Sequence, residues 1–393
     1  MISVKDKVLA LLLMVLALLV ALSSHPFVVE ISHAAGIEKG SILSRYIILD
    51  YGAVFALLFL TTKFRPHKII SAYLFFLLVI ALFAVLTWVF FADNKLLGEI
   101  RALIISLVAL IIGWQLDLSQ VQVKKILWVY ALVTLYVGVM QVVKNVGGFV
   151  VEQQYLTDNK NSLGVMLATS ITIFAYLAMN GQNKRWKVIL SWFFVFLTFS
   201  VILTIRARAA TLIAFVELII LLYRKVGRSN FIWVVALLLL IGSVLLMFLP
   251  NVRDFVYSSF FMGYEGGDIT SDRSSRNRAA LEYLSLHPFL GNLEHKATYF
   301  GWIHNYPLLQ LYNNGLIFGL PIVSLYLYLF VVIIKNTLRS KFDSIGFVGF
   351  VAIMVPFIVA MAEPTFPYGP GTATVFNFIL FGVALRNNAP EIS

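Results

Sequence analysis

Residues 69–91 read IISAYLFFLLVIALFAVLTWVFF, 23 positions without a charged side chain. A helix of that length runs about 34 Å, enough for the ~30 Å hydrocarbon core of a bilayer. The apolar residues are continuous, whereas a membrane barrel strand would alternate over about ten positions. The stretch therefore reads as a helical membrane span. Outward from it, comparable runs recur at 8–24, 44–62, 101–117, 125–143, 162–180, 187–205, 209–223, 231–249, 306–334, 345–362 and 372–386. The expectation is an all-α polytopic membrane protein of about 12 spans. It forms one integral membrane domain over residues 1–393, and 306–334 includes a short helix partly outside the bilayer.

Composition agrees. Of 393 residues, 60% are hydrophobic and 12% charged, and mean hydropathy is +0.90. The charged share is about half that of a globular chain. This excludes a soluble enzyme, a disordered scaffold and a nucleic-acid binder. The net charge of +11 is read first as topology, because basic residues hold loops on the cytoplasmic side. With the N-terminus inside, 17 Lys and Arg fall in short inner connections, among them Lys5, Lys63, Lys124, Arg185, Arg224, Lys335 and Arg386. The outer side holds 13, of which seven lie at 206–208 or in the long loop 251–305. Both termini are thus expected in the cytoplasm and the loop outside. The start has some marks of a cleavable signal, but Ser32-His33-Ala34-Ala35 follows the apolar run too late. There is no cysteine and there are six histidines, so neither a disulfide nor a resident metal centre is expected.

The outer loop breaks the pattern. It opens at Pro250, passes Gly263-Tyr264-Glu265-Gly266-Gly267, and turns helical after Asp272, a suitable N-cap, until Pro288 and Gly291 end the helix. Four polar places face the same side. Asp158-Asn159-Lys160-Asn161 opens the sixth span and reads as a sugar- or phosphate-binding turn or as plain helix capping. Arg206-Ala207-Arg208 joins two apolar helices. An arginine fork suits phosphate oxygens, although snorkelling toward headgroups is the plainer alternative. Arg273, Arg276 and Arg278 form a cationic stretch, functional or merely solvated, in which Arg273 and Arg276 share a helical face. His304-Asn305-Tyr306-Pro307 starts an apolar helix, where a histidine can take up a proton or serve structure alone. Glu217, inside the eighth span, reads as a buried hydrogen-bonded residue.

From Asn159 to Gly319 this order of motifs resembles the O-antigen ligase/polymerase family. The resemblance lies in the Asn-rich helix start, the Arg-Ala-Ala pattern at Arg208, the Arg-containing helix running into His287-Pro288-Phe289-Leu290-Gly291, and His304-Asn305 with Gly315 and Gly319. The first 150 residues match only as hydrophobic spans. Asn292 stands where the family often has a second glycine, and Leu281 and Tyr283 occupy a region where it often has tryptophan.

The resemblance implies a GT-C-like membrane glycosyltransferase, inverting and metal-independent, without cofactor, on the periplasmic face of a bacterial inner membrane. Its donor would be an undecaprenyl-diphosphate-linked oligosaccharide and its acceptor a glycan, either a lipid-linked repeat unit or lipid A core. A chain-length regulator would be a natural partner. Arg208 and Arg276 would hold the diphosphate, with Arg206, Arg273 and Arg278 in support. His304 would serve the acceptor hydroxyl, Asn161 and Asn305 would bind sugar or phosphate, and Glu363 would be an alternative base or an arginine's partner. The motifs serve a polysaccharide polymerase and an O-antigen ligase alike; the compact outer loop favours the polymerase. A lipid-linked oligosaccharide flippase is the competing class. It should place ionisable residues along a midplane path, whereas here most gather at one surface.

Overall fold

The computed structural model describes residues 4–34, 43–62, 67–144, 160–180, 184–251, 253–254, 257, 273–295, 303–369 and 373–388. The turn at 263–267, Asp158, Asn159 and the capping Asp272 lie outside these residues. Among those described there is no strand. The helices are α1 (Val4–Leu22), α2 (Pro26–Ala34), α3 (Leu43–Thr61), α4 (Lys68–Phe91), α5 (Lys95–Gln115), α6 (Gln120–Lys144), α7 (Lys160–Met179), α8 (Arg185–Thr204) and α9 (Arg208–Phe248). They continue with α10 (Arg273–Leu286), α11 (Asn292–His295), α12 (Tyr306–Arg339), α13 (Ile345–Val359) and α14 (Val375–Asn388). Each apolar run overlaps a helix, although the run 345–362 outlasts α13, which ends at Val359, and the run 372–386 begins ahead of α14, which starts at Val375. The connection expected between 223 and 231 is a break inside α9 at Gly227, whose φ of 76° no helix allows.

Six of these helices, α4 to α8 and α12, are long and apolar enough to cross a membrane; the bent pair of α1 and α2 makes a seventh if it is one span. The chain is thus an all-α protein with the helices of a multi-pass membrane protein. α13 and α14, 15 and 14 residues long, are apolar but shorter, and their faces are buried almost all round.

The chain divides into two compact units. The first comprises Met1–Leu16, Ser44–Val123 and Thr270–Ser393. Its centre is α14, packed on α5 and α13. Glycines bring these helices backbone to backbone: a Cβ on Gly113 would stand 2.0 Å from the Ile379 carbonyl, and one on Gly382 2.3 Å from that of Leu110. Small residues at a crossing let apolar helices gain van der Waals contact in a solvent as apolar as themselves.

The second unit comprises Ala17–Leu43 and Lys124–Ile269. Here α7 is the core, buried continuously from Leu163 to Met179 and packed on α8 and α9. Gly164 sits against the β-carbons of Ala207 and Ala210, which fixes the start of α7 beside the start of α9. Glu217 lies in this core, fully buried, and accepts a hydrogen bond from the Thr172 hydroxyl at 2.5 Å, as the sequence reading has it.

Within each unit the polar contacts sort residues by end. In the first, Lys5 meets the Thr61 carbonyl, Gln122 meets that of Asp6, and Arg386 reaches Trp114, Gln115 and Asp117. At the other end, Tyr306 meets Glu99 and Arg273 meets Glu363. In the second unit Lys144 pairs with Glu30.

Candidate functional site

The start of α12 is fixed by its own sequence. Asn305 is its N-cap, with a side chain that accepts from the Leu308 amide at 3.0 Å, and Pro307 follows in the first turn. A cap of this kind satisfies an otherwise unpaired amide and sets the angle at which the chain enters the helix. His304 is thereby held immediately outside α12. The same turn is stitched to the connection after α13: the Tyr306 amide donates to the Ala360 carbonyl at 2.8 Å, and the Asn305 side chain to that of Met361 at 3.3 Å.

That connection carries Glu363, whose side chain is only 5% exposed. A carboxylate buried so far needs a counter-charge and hydrogen bonds. Arg273, in the first turn of α10, supplies both. One guanidinium nitrogen donates to Glu363 Oε1 at 2.7 Å and the other to the Ala362 carbonyl at 2.8 Å. The second carboxylate oxygen stands 3.5 Å from His304 Nδ1, which has no hydrogen-bond partner among the described residues. The cluster is therefore cation, carboxylate and imidazole in a row, with Arg273 29% and His304 21% exposed.

Arg276 lies one turn beyond Arg273 on the face of α10 that also carries Ala280, Tyr283 and His287. Ala280 is buried with Ile303 and Tyr312, and the Tyr283 ring packs on Tyr312 at 5.1 Å. Arg276 is half-buried and has no ion pair among the described residues. Arg278 is on the exposed side. The sequence reading favours Arg276 as the key loop arginine; the one that meets Glu363 is Arg273.

The Pro-Phe-Leu-Gly segment has a packing role. α12 breaks at Gly315, with φ +63°, and the Pro288 and Phe289 carbonyls accept from the Leu316 and Ile317 amides at 2.8 and 3.1 Å. They cap the second half of α12. A Cβ on Gly315 would lie 2.1 Å from the Phe289 carbonyl, and one on Gly291 2.5 Å from that of Tyr312. The two glycines make a clasp that holds the end of α10 against α12.

Arg206, Arg208 and Asn161 belong to the second unit. After α8 ends, Arg206 takes φ +56°, its amide donates to Leu203 at 3.0 Å, and the Ala207 amide donates to Ile202 at 3.4 Å. This is the Schellman cap, in which glycine is the usual occupant because a Cβ there is strained. Arg208 then opens α9, and Asn161 lies in the first turn of α7, whose Gly164 rests on Ala207.

Glu99 is the residue that the sequence reading misses. It sits in the second turn of α5, half-buried, and accepts from the Tyr306 hydroxyl at 3.1 Å; the Gln310 side chain hydrogen-bonds it as well. In sequence it is only an acid at the end of an apolar run. The sole signal was that Lys95, Glu99 and Arg101 are assigned to the same outer side as His304. Among the described residues no group of three or more His, Asp or Glu is arranged to hold a metal.

The chain matches no family model and no curated protein.

Proposed function

We propose that the protein is a membrane glycosyltransferase of about 12 spans and GT-C-like architecture, acting at the periplasmic face of a bacterial inner membrane with both termini inside. It lengthens a surface polysaccharide, using an undecaprenyl-diphosphate-linked glycan as donor and a second lipid-linked unit as acceptor. The observation that carries this reading is the row Arg273–Glu363–His304. An imidazole beside a buried, charge-compensated carboxylate is the arrangement of a base with its orienting group.

The chemistry balances without further reactants. The acceptor hydroxyl oxygen attacks the anomeric carbon, and the bond from that carbon to the diphosphate oxygen breaks with inversion. His304 takes the hydroxyl proton, and Glu363 stabilises the imidazolium so formed. The diphosphate leaves with the bonding electrons, and guanidinium groups neutralise the charge that develops on it. Arg276, half-buried without a described ion pair, is suited to that task. In the second unit, Arg206 stands at a strained backbone position that glycine would fill without cost, which marks its side chain as a candidate phosphate contact. Asn305 in the first unit, and Arg208 and Asn161 in the second, are each proposed as sugar or phosphate contacts within their own unit.

Purified protein given undecaprenyl-diphosphate-linked repeat units and a chelator should lengthen them stepwise. Transfer that occurs only on adding lipid A core would replace the polymerase by a ligase. Movement of the lipid across vesicles with no new glycosidic bond would replace both by a flippase. In the same assay Arg208→Lys, which keeps charge but loses the bidentate fork, should lose activity strongly while inserting normally; wild-type rates would remove Arg208 from the site.

A further inference from the structure

We propose that Glu99 is the acceptor-sugar contact of this site, a hydroxyl-binding carboxylate on α5 that meets Tyr306, on the turn that also carries His304. The inference rests on the transferase reading above and names a part of the site which that reading leaves empty.

Glu99 differs from Glu363 in its company. Glu363 is matched by Arg273, whereas the groups that meet Glu99 are the neutral Tyr306 hydroxyl and Gln310 side chain. The donors form a ladder with a direction. Asn314 Nδ2 donates to Gln310 Oε1 at 3.3 Å and to the Gln310 carbonyl at 3.1 Å. With its oxygen so engaged, Gln310 turns its amide hydrogens to Glu99. Tyr306 adds its hydroxyl hydrogen from the other side. The carboxylate is oriented by these bonds and has no cation partner among the described residues. It is half-buried, and the two donors leave lone pairs for a further one.

Two other features mark the place. The Tyr368 hydroxyl, in a side chain 1% exposed whose ring packs 5.8 Å from that of Tyr306, has no hydrogen-bond partner among the described residues; neither does Asn314 Oδ1. Buried polar atoms left open beside a site are filled by water or by a ligand's hydroxyls. Carboxylate, amide and tyrosine groups together are the chemistry that holds a pyranose: acceptors for its hydroxyls and apolar ring faces for its C–H surface. Tyr306 follows directly on His304-Asn305. A sugar held by Glu99 therefore presents a hydroxyl to the turn that carries the proposed base.

The test uses Glu99→Gln, which keeps the side-chain shape and an oxygen for Tyr306, and Tyr306→Phe, which removes the orienting hydroxyl. Full-length protein in a non-glycosidic detergent is examined by saturation-transfer NMR with methyl glycosides of glucose, galactose, mannose and N-acetylglucosamine. At least one should show transfer from the wild type, falling about fivefold or more in Glu99→Gln and less in Tyr306→Phe. In the transfer assay Glu99→Gln should raise KM for the acceptor about tenfold, with donor KM unchanged. Equal NMR signals in wild type and Glu99→Gln, or no glycoside signal in the wild type, overturn the proposal. If His304→Ala abolishes transfer while Glu99→Gln leaves the signals unchanged, the subsite falls and the transferase stands. Glycoside contact at Glu99 in a protein that forms no glycosidic bond does the reverse.

Discussion

Arg273 and Arg276 are one helical turn apart, and the physical difference between them is a partner. Arg273 compensates a buried carboxylate. Removing it by Arg273→Ala leaves that charge unpaired and should cost about 3–5 kcal/mol of stability, read by thermal unfolding in detergent. Arg276 has no such carboxylate to serve among the described residues, so Arg276→Ala should leave the unfolding temperature nearly unchanged and act on transfer alone. A large loss of stability in Arg276→Ala would mean that it too is structural. Arg206 gives the converse case. Arg206→Gly relieves a strained backbone and should hold or raise stability by up to about 1 kcal/mol. It should nevertheless lower transfer; wild-type rates in that variant would reduce Arg206 to a helix cap. At this scale the sequence names His304, Asn305, Glu363 and the arginines. Helix phase puts Arg273 and Arg276 on one face, but only the packing of α10 on α12 decides which reaches Glu363. Glu99 escapes notice because its partner, Tyr306, is 207 positions away in the chain.

Among the elements, the clasp between the end of α10 and the break in α12 is the most exposed to single substitutions. Gly315→Ala puts a Cβ on a positive-φ residue and into the Phe289 carbonyl. A loss of about 2 kcal/mol or more is expected in thermal unfolding; an unchanged transition would mean that the break adjusts freely. α4 carries a smaller, pH-dependent device. His67 is its N-cap, and Nδ1 accepts from the Ile69 amide at 3.3 Å, which requires the neutral ring. Burial, with help from Lys68, holds its pKa below the ordinary histidine value. The unfolded chain then binds the proton more readily, so this contribution is present above the unfolded pKa and fades as pH falls below it. His67→Asn caps equally well without titrating. The gap in unfolding temperature between wild type and variant should therefore shift against the wild type from pH 7 to pH 5. A gap independent of pH would show that the cap does not titrate. The helices themselves are legible because apolar runs broken by charge and glycine are the sequence trace of spans. The break at Gly315 is less so: the sequence suggests a short helix within 306–334, but the fold-back depends on carbonyls that Pro288 and Phe289 bring from another segment.

For the whole molecule, the class of protein follows from composition, while its division into two compact units does not, because the second unit interrupts the first in the chain. Which compartment each end faces rests on the positive-inside argument, and the natural lack of cysteine makes that directly testable. Single cysteines at Lys5 and Asn388 should react with a membrane-impermeant maleimide only after the cells are opened. One at Arg278 should react in cells permeabilised at the outer membrane alone. The reverse pattern would put the Arg273–Glu363–His304 row in the cytoplasm and end the proposed function, which is set at the periplasmic face.

In the proposed transfer His304, beside Glu363, takes the acceptor's proton. The most direct test is the single-turnover rate of glycosyl transfer by purified wild-type and His304→Ala proteins, with lipid-linked donor saturating. A fall of at least about 100-fold is expected, with donor binding intact. A rate within about twofold of wild type would contradict it.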